Sequence, residues 1–356
     1  MEFLHEIEGR AGLSVGLEDP ADLSAQPRHV PVLLGEVLRH LVTDSDGLYL
    51  DATLGLGGHA EGILTKLSAQ GRLLGLDMDP EAIQEANLRL SVFVGRLRII
   101  RANFRTLGQI LDAEKFFPLS AALFDLGVSS LHFDKAERGF SFQLEGPLDM
   151  RMSPESPLTA EAIVNRWPVE QLAMLIKEFG EEPQALRIAR AIARRRAERP
   201  FETTTELASV IEKAAPRLAL RPLGQGPRGV HPATRTFMAL RIAVNAELEN
   251  LTRGLETVLP YVKAGGRVGV ISFHSLEDRI VKNVFSSFVS LGWCRWISVE
   301  GRIARGSPFT PSRSEVVDNP RARSAKLRIV EKTPRPGASA GTGQCLPVND
   351  GNGTGP

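Results

Sequence analysis

Cysteine is nearly absent from this chain. Only Cys294 and Cys345 occur among the 356 residues, and they lie far apart in the sequence. Their separation matches neither the close spacing of metal ligands nor the paired spacing of a disulfide framework. This excludes a small domain held together by disulfides. It fits the reducing conditions of the cytoplasm, where we expect the protein to reside.

Long apolar runs and an excess of either charge are also missing. No apolar stretch approaches the roughly 18 residues that a membrane-spanning helix requires. The N-terminus lacks the basic-then-apolar order of a signal peptide, so we expect no membrane contact. The 43 Lys and Arg residues balance 42 Asp and Glu residues, and any surface for a nucleic acid must therefore be local. Apolar residues make up 42% of the chain, enough for a sizeable core in one or two domains.

Short apolar runs alternate with helical patterns over residues 27–132, which we predict to be the first part of a sheet domain. The predicted strands cover 48–50, 72–77, 97–102 and 121–125, and the predicted helices cover 33–41, 60–69, 79–90 and 107–114. The third helix has a strong start, with Asp79 as its cap and Pro80 in its first turn. This alternation is typical of an α/β fold with a parallel sheet and right-handed crossovers.

The alternation stops over residues 133–233, where we predict an inserted all-helical domain. Its helical patterns cover 159–166, 169–179, 184–198 and 203–215. The sheet domain resumes over 234–332. There we predict a long helix at 235–259, a strand at 265–273, a helix that opens at His274, and a closing hairpin at 296–303 and 326–331. Residues 1–26 and 333–356 have the composition of disordered tails.

A glycine-dense turn, Asp51–His59, follows the first predicted strand. Gly55, Gly57 and Ala60 match the spacing G-x-G-x-x-A. Glycines at such a turn let the backbone approach a ligand closely, and the N–H groups of the following helix then face that ligand. The pattern alone is weak, because many nucleotide-binding folds share it.

Three side chains follow the next strands, at the edge of the sheet where ligands bind in such folds. Asp77 ends the second strand and is placed to bind ribose hydroxyls, or else to cap the next loop. Phe104 follows the third strand and is placed to stack on a purine, or else to pack in the core. Asp125 ends the fourth strand and is placed to hold a cationic or amine group, or else to cap the next segment. NAD and S-adenosylmethionine both fit these contacts.

Longer sequence motifs distinguish between the two cofactors, because together they resemble one family, the bacterial 16S rRNA cytosine-N4 methyltransferases. The resemblance runs in unbroken order over about residues 28–332. The words that carry it are His29-x-Pro-Val-Leu-Leu34, Asp51-Ala-Thr-Leu-Gly-Leu-Gly-Gly-His59, Asp125-Leu-Gly-Val-Ser-Ser130, Glu137-Arg-Gly-Phe-Ser-Phe142, Gly146-Pro-Leu-Asp-Met-Arg-Met152, Gly180-Glu-Glu182, His231-Pro-Ala-Thr-Arg-Thr-Phe237, Ser272-Phe-His-Ser-Leu-Glu-Asp-Arg279 and Asn319-Pro-Arg-Ala-Arg-Ser-Ala-Lys-Leu-Arg328.

The resemblance implies a class I, Rossmann-like methyltransferase sheet that uses S-adenosylmethionine and carries an inserted helical domain. The implied substrate is one cytosine in the decoding region of 16S rRNA, within the small ribosomal subunit. His132 stands where the family usually has a glutamine, and its ring can also donate or accept a hydrogen bond. The cofactor contacts that the resemblance implies are Gly57, Gly58, His59, Asp77, Phe104, Asp125 and His132.

The chemistry of the reaction makes Asp125 the candidate catalytic residue. A sulfonium methyl group is already electrophilic, so we expect no metal. The cytosine N4 lone pair is delocalised into the ring, and an acceptor that hydrogen-bonds the amine would raise its electron density and align it. Asp125 or the backbone of residues 127–130 is the nearest acceptor. No cysteine lies on this loop to attack the ring carbon, which favours methylation of the amine.

Two further groups of residues have open interpretations. His274, Glu277 and Asp278 border the cleft or simply cap a helix, and Asp149 with Arg151 orders a loop over the site or forms a structural ion pair. A run of arginines on one inserted helix is either a solvated face or a phosphate-binding track. These arginines are Arg187, Arg190, Arg194, Arg195, Arg196 and Arg199, with Arg228, His231, Arg235, Arg321, Arg323 and Lys326 as further candidates.

Three rival functions remain at the level of sequence. A methyltransferase of a small molecule or protein would share the sheet, because fold does not fix substrate. An RNA-binding assembly factor could retain a relic cofactor pocket, although intact Gly57, Gly58, Asp77 and Asp125 argue against decay. An NAD-dependent dehydrogenase is supported by the first two strands alone. Both a monomer and a homodimer are compatible with the sequence.

Overall fold

The computed structural model describes residues 31–127, 133, 135–215, 231–299 and 306–334. The predicted tail at 1–26 and nearly all of the tail at 333–356 lie outside these residues, as do His132 and Arg228. None of the helices in the described residues combines the length and the apolar character needed to span a membrane.

The described residues form a seven-stranded sheet in the order β3-β2-β1-β4-β5-β7-β6. Strand β7 runs antiparallel to β5 and β6, and the other strands run parallel to one another. Chain order reverses between β1 and β4, which makes this the switch point where such folds bind ligands. The strands are β1 (Leu48–Asp51), β2 (Arg72–Asp77), β3 (Leu97–Arg101), β4 (Leu119–Asp125), β5 (Val262–Ser272), β6 (Cys294–Ile297) and β7 (Lys326–Lys332).

Four helices alternate with the first strands and confirm the predicted pattern. They are α1 (Leu34–Leu41), α2 (Gly58–Lys66), α3 (Pro80–Arg89) and α4 (Leu107–Glu114). Asp79 caps α3 as expected, with its carboxylate accepting from the N–H of Glu81 at 2.9 Å. The adjacent β1 residues Tyr49 and Leu50 belong to two different core clusters, because successive strand residues point to opposite faces of the sheet. The sheet is therefore covered on both faces.

In the described residues, five helices follow β4 up to Ala246, and a sixth helix leads from there to β5. The first four lie within the predicted insertion at 133–233, and the fifth packs with them in a single apolar core that runs from Leu148 to Val244. All of this fifth helix except its first residue, Ala233, lies in the predicted second part of the sheet domain, yet its packing partners are the inserted helices. The helices are α5 (Ala160–Arg166), α6 (Val169–Gly180), α7 (Ala185–Glu198), α8 (Thr204–Ala214) and α9 (Ala233–Asn245).

The prediction of one long helix at 235–259 is wrong, because the helix is interrupted at Ala246. This residue adopts φ +49° and separates α9 from α10 (Glu247–Val258). The buried amide of Asn245 explains the break: its oxygen accepts from the N–H of Met152 at 2.8 Å and its nitrogen donates to the carbonyl of Met150 at 2.9 Å. These bonds anchor the end of α9 to a loop that is distant in sequence. Helices α11 (Ser275–Ser290) and α12 (Arg313–Asp318) complete the fold.

Candidate active site

The glycine turn after β1 is shaped by positions that exclude side chains. Gly55 and Gly57 adopt φ of +51° and +77°, a backbone region that favours glycine. A Cβ atom on Gly57 would lie 2.9 Å from Leu90 Cδ1, and one on Gly58 would lie 2.4 Å from Pro31 Cγ. Helix α2 begins at Gly58, so the unpaired N–H groups of its first turn open at the carboxyl edge of the sheet.

Asp77 holds this turn in place. Its Oδ2 atom accepts from the N–H of Gly55 at 2.7 Å, and its Oδ1 atom accepts from the N–H of Asp79 at 2.9 Å. The capping role that the sequence offered as an alternative is therefore present in the structure. Because Asp77 lies at the carboxyl end of β2, beside the switch point, ribose binding by the same carboxylate stays a prediction.

Asp125 lies at the end of β4 beside a buried histidine. Its Oδ2 atom is 3.4 Å from Nδ1 of His59, and its backbone N–H donates to the Thr53 hydroxyl at 2.6 Å. The other carboxylate oxygen, Oδ1, is enclosed and has no hydrogen-bond partner among the described residues. Enclosing a carboxylate oxygen without a partner costs free energy. This atom is therefore where a donor from a ligand is expected.

His59 faces an acceptor on each side of its ring. Its Nε2 atom is 3.0 Å from the carbonyl oxygen of Val32, while Nδ1 faces Asp125. A carbonyl oxygen can only accept, so Nε2 carries a proton, and a second proton on Nδ1 is stabilised by the carboxylate. Burial of the ring lowers the pKa of His59, but the hydrogen bond and charge of Asp125, with the charge of Asp51 and the bond to Val32, together outweigh burial and raise it.

A second buried acid completes this group. Asp51 ends β1 with 1% of its surface exposed. Its Oδ1 accepts from the N–H of Thr53 at 3.2 Å, and its Oδ2 has no hydrogen-bond partner among the described residues. Burial raises the pKa of Asp51 to about 7, against the lowering effect of His59. Sequence reasoning placed Asp51 in the turn but gave it no role, and the only available signal was an acid that directly ends an apolar strand.

Phe104 packs on the core beneath the crevice, by which we mean the carboxyl edge of the sheet at Asp51, Asp77 and Asp125. Its ring meets that of Phe124 edge to face, with the centroids 5.6 Å apart, and a Cβ atom on Gly254 would lie 2.8 Å from Phe104 Cδ2. The core-packing alternative is therefore present, although the ring is only half-buried. Stacking on a purine stays a prediction.

The residues after β5 form a capped helix start. His274 and Glu277 make a capping box at the start of α11, in which Glu277 Oε2 accepts from the N–H of His274 at 3.3 Å. Glu247, His274 and Glu277 each offer one possible metal ligand within 4.8 Å of the others. Glu247, however, already accepts two bonds of 2.8 Å from the Arg241 guanidinium. These contacts account for the cluster, and the metal-free mechanism stays a prediction.

Two loops are held by ion pairs, one of which, Asp149 with Arg151, the sequence offered as an alternative. Asp149 and Arg151 form a two-bond pair, at 2.9 Å and 2.7 Å. At the C-terminal end of α6, Glu181 binds the hydroxyl of Ser275 and the guanidinium of Arg279, the latter at 2.8 Å. The second contact joins the inserted helices to the start of α11, directly after the carboxyl end of β5.

The further basic candidates are mostly engaged with protein groups. His231 stacks on Phe142 with ring centroids 4.7 Å apart. Arg235 lies 3.4 Å from Glu182, and Arg321 lies over the ring of Phe133. Lys326 pairs with Asp278 at 2.9 Å. Arg323 is exposed, so that a role of this set in binding a polyanion stays a prediction.

The sheet and the position of the turn define a class of protein. Only β7 runs against the other strands, and the glycine turn follows the central strand β1. This is the arrangement of class I S-adenosylmethionine-dependent methyltransferases.

Comparison with known sequences gives the family within that class. The model of the MraW methylase family matches residues 26–333, and the chain belongs to this family. The ribosomal RNA small subunit methyltransferase H of Geobacter sp. (strain M21) is 49% identical over 312 residues, covering 85% of this chain and 98% of that protein. The protein of the same name from Symbiobacterium thermophilum is 46% identical, covering 85% and 96%. An rRNA methylase structure from Streptococcus thermophilus matches with a TM-score of 0.36 at 12% identity over 85% of this chain and 93% of that chain, too low to bear on function.

Proposed function

We propose that this protein transfers a methyl group from S-adenosylmethionine to the exocyclic N4 atom of cytosine 1402 in 16S rRNA, within the small ribosomal subunit. Family membership and the names of its relatives support the reaction and the rRNA substrate. The structural observation that carries the proposal is the enclosed Oδ1 atom of Asp125, which has no partner among the described residues at the switch point of the sheet.

The glycine turn fits the cofactor. Side chains at Gly57 and Gly58 would collide with Leu90 and Pro31, so this part of the crevice is lined by backbone. Its N–H groups, with Asp77 beside them, suit the polar groups of a nucleoside and a carboxylate. When bound, S-adenosylmethionine supplies a methyl group that is already electrophilic.

The role that we assign to Asp125 is to orient the attacking amine. One carboxylate oxygen is held by His59, which fixes the direction of the other. That second oxygen can accept a hydrogen bond from an amine, which aligns the nitrogen and raises its electron density. A charged acceptor makes a stronger hydrogen bond than a neutral one, which suits a carboxylate to this role.

A labelled methyl-transfer assay on small subunits that lack this modification tests the proposal. We expect one methyl group per subunit, mapped to N4 of cytosine 1402, and no incorporation into subunits already methylated there. Naked 16S rRNA in parallel reports whether the assembled subunit is required. Label at a ring carbon or at another nucleotide would contradict the proposal. So would calorimetric binding of S-adenosylmethionine without any transfer, the behaviour expected of a relic pocket.

A further inference from the structure

The arginines of α7 fall into two sets that differ in what they contact. One set, Arg195, Arg196 and Arg199, is bound to the protein itself. Arg196 donates to the carbonyls of Val164 and Trp167, both at 2.6 Å, and so caps the end of α5. Arg195 donates to the carbonyl of Arg199 at 2.7 Å and covers the Phe201 ring, and both Arg195 and Arg199 pair with Glu206. These three side chains stabilise the inserted helices.

The second set, Arg187, Arg190 and Arg194, is exposed and has no hydrogen bond or ion pair with the described residues. Their spacing of three and four residues puts them on one face of α7. They line a groove of about 500 Å³ together with Pro183, Gln184 and Leu186. Three unpaired guanidiniums in one groove make a local positive surface on a chain whose overall charge is +1.

The Pro183 end of the groove is tied to the sheet domain. Pro183 is two residues beyond Glu181, whose carboxylate binds Ser275 and Arg279. Those two residues open α11, directly after the carboxyl end of β5. Of the three arginines, Arg187 is therefore the one nearest in the chain to this junction with the sheet domain.

We propose that Arg187, Arg190 and Arg194 bind the phosphate backbone of the RNA that flanks the target nucleotide, an inference that rests on the proposed function. The three positions span roughly 10 Å of helix, and a nucleic-acid strand carries a phosphate about every 3.4 Å along a duplex axis. A guanidinium presents a planar fork of donors that matches phosphate oxygens. Enzymes that act on a base extrude it or use a single strand, which requires a grip on the neighbouring backbone.

The test replaces all three arginines by glutamine and measures binding of a single-stranded RNA that contains the target cytosine, by fluorescence anisotropy across a salt series. We expect Kd to rise at least about tenfold at low salt. Each phosphate contact to a single strand contributes about 0.7 to the slope of log K against log salt, so the slope should fall by about 2. An unchanged affinity and slope would overturn the proposal.

A matched control carries the same change of charge elsewhere. Arg39, Lys66 and Arg72 are exposed residues of the sheet domain, and their side chains make no hydrogen bond or ion pair with the described residues. Their replacement by glutamine should leave RNA affinity within about twofold. If this control loses as much affinity as the groove variant, net charge rather than the groove explains the binding, and the proposal fails.

Two more measurements separate this proposal from the proposed function. Calorimetric affinity for S-adenosylmethionine should be the same in the groove variant and the wild type. If the wild type binds the RNA through this groove but does not methylate the cytosine, the proposed function is wrong, while the proposal that the groove binds RNA holds. If the groove variant binds the RNA normally but no longer binds whole subunits, the surface serves a protein, and the RNA proposal is overturned.

Discussion

The crevice and the inserted helices differ in where their charged side chains lie. At the crevice, Asp51 and His59 are 1% and 5% exposed, and they lie with Asp125 at the carboxyl edge of the sheet. On the inserted helices the core is apolar, and unpaired cations such as Arg187 and Arg190 lie at the surface. Buried charges interact strongly because little water screens them, whereas exposed charges are screened within a Debye length of about 8 Å at physiological salt.

This difference separates two tasks. A reacting amine must be aligned to a fraction of an ångström, which suits rigid, desolvated groups whose partners are fixed. A nucleic-acid backbone is long and uniform, and it can be gathered by exposed guanidiniums that exchange counterions for phosphates. We therefore expect the chemical step to be insensitive to salt and RNA binding to be strongly dependent on it. The following predictions test this contrast, beginning with the largest expected effect.

Replacing Asp125 by alanine should reduce methyl transfer at least about 100-fold while the fold survives. The change removes the amine acceptor and leaves the buried His59 ring without its side-chain partner, and general acid–base contributions of this kind are worth about 10² to 10⁴ in rate. The measurement is single-turnover transfer at saturating S-adenosylmethionine, with circular dichroism as the check on folding. Asp125→Asn is the matched control, because it keeps the shape of the side chain and removes its carboxylate. Near-normal turnover in a folded Asp125→Ala protein would remove Asp125 from the mechanism.

Gly57→Ala should weaken S-adenosylmethionine binding about tenfold or more. The new Cβ atom would require φ +77° of a residue that disfavours it and would press on Leu90 at 2.9 Å. Gly95 offers a matched control, because it has φ +84° with nothing within 4 Å of a Cβ atom. Both variants should lose roughly 1 kcal/mol of unfolding free energy from backbone strain. Only Gly57→Ala should lose cofactor affinity in calorimetry. Equal affinities of the two variants would show that the turn does not bind the cofactor.

Asp51 should make stability fall as pH rises. Burial raises the pKa of Asp51 to about 7 from a usual value of 3.8, so the folded protein holds a proton that the unfolded chain releases. The stability that this proton contributes is complete below about pH 4 and is lost as pH rises towards 7, at up to about 1.4 kcal/mol per pH unit. The raised pKa of His59 acts in the same direction.

Urea denaturation of the wild type and Asp51→Asn between pH 5 and pH 8 measures this effect. The variant should show a shallower loss of unfolding free energy with pH, whatever its absolute stability. The slope is the diagnostic quantity, since a merely structural role would shift both ends of the series equally. Parallel curves for the two proteins would mean that Asp51 does not titrate in this range.

The sequence predicted what local patterns encode. Helix α4 has the predicted bounds, α3 begins at its predicted cap Asp79, and the first four strands lie where apolar runs placed them. It could not predict what depends on distant partners. The break at Ala246 follows from bonds between Asn245 and a loop more than 90 residues earlier in the chain, and no glycine or proline announces it.

The candidate site shows the same limit. Asp77 and Asp125 were predicted because strands of a parallel sheet end at a common edge, which depends on order alone. The protonation of Asp51 depends on burial, which a sequence does not display. The arginines of α7 look alike in sequence, but the carbonyls that engage Arg196 belong to residues about 30 positions away. Only the fold could sort them into structural and available sets.

The smallest effect is expected at the junction between the two regions. Glu181 and Arg279 pair at 2.8 Å with side chains 41% and 60% exposed. A double-mutant cycle with Glu181→Gln and Arg279→Gln should give a coupling of about 0.2 to 1 kcal/mol, as exposed ion pairs do. Because this pair is screened like the surface of the inserted helices, raising the salt to 1 M should abolish the coupling. A coupling that survives high salt would show that this ion pair is shielded from solvent, as the charges of the crevice are. The boundary between shielded and screened charges would then lie farther along α6 and α7.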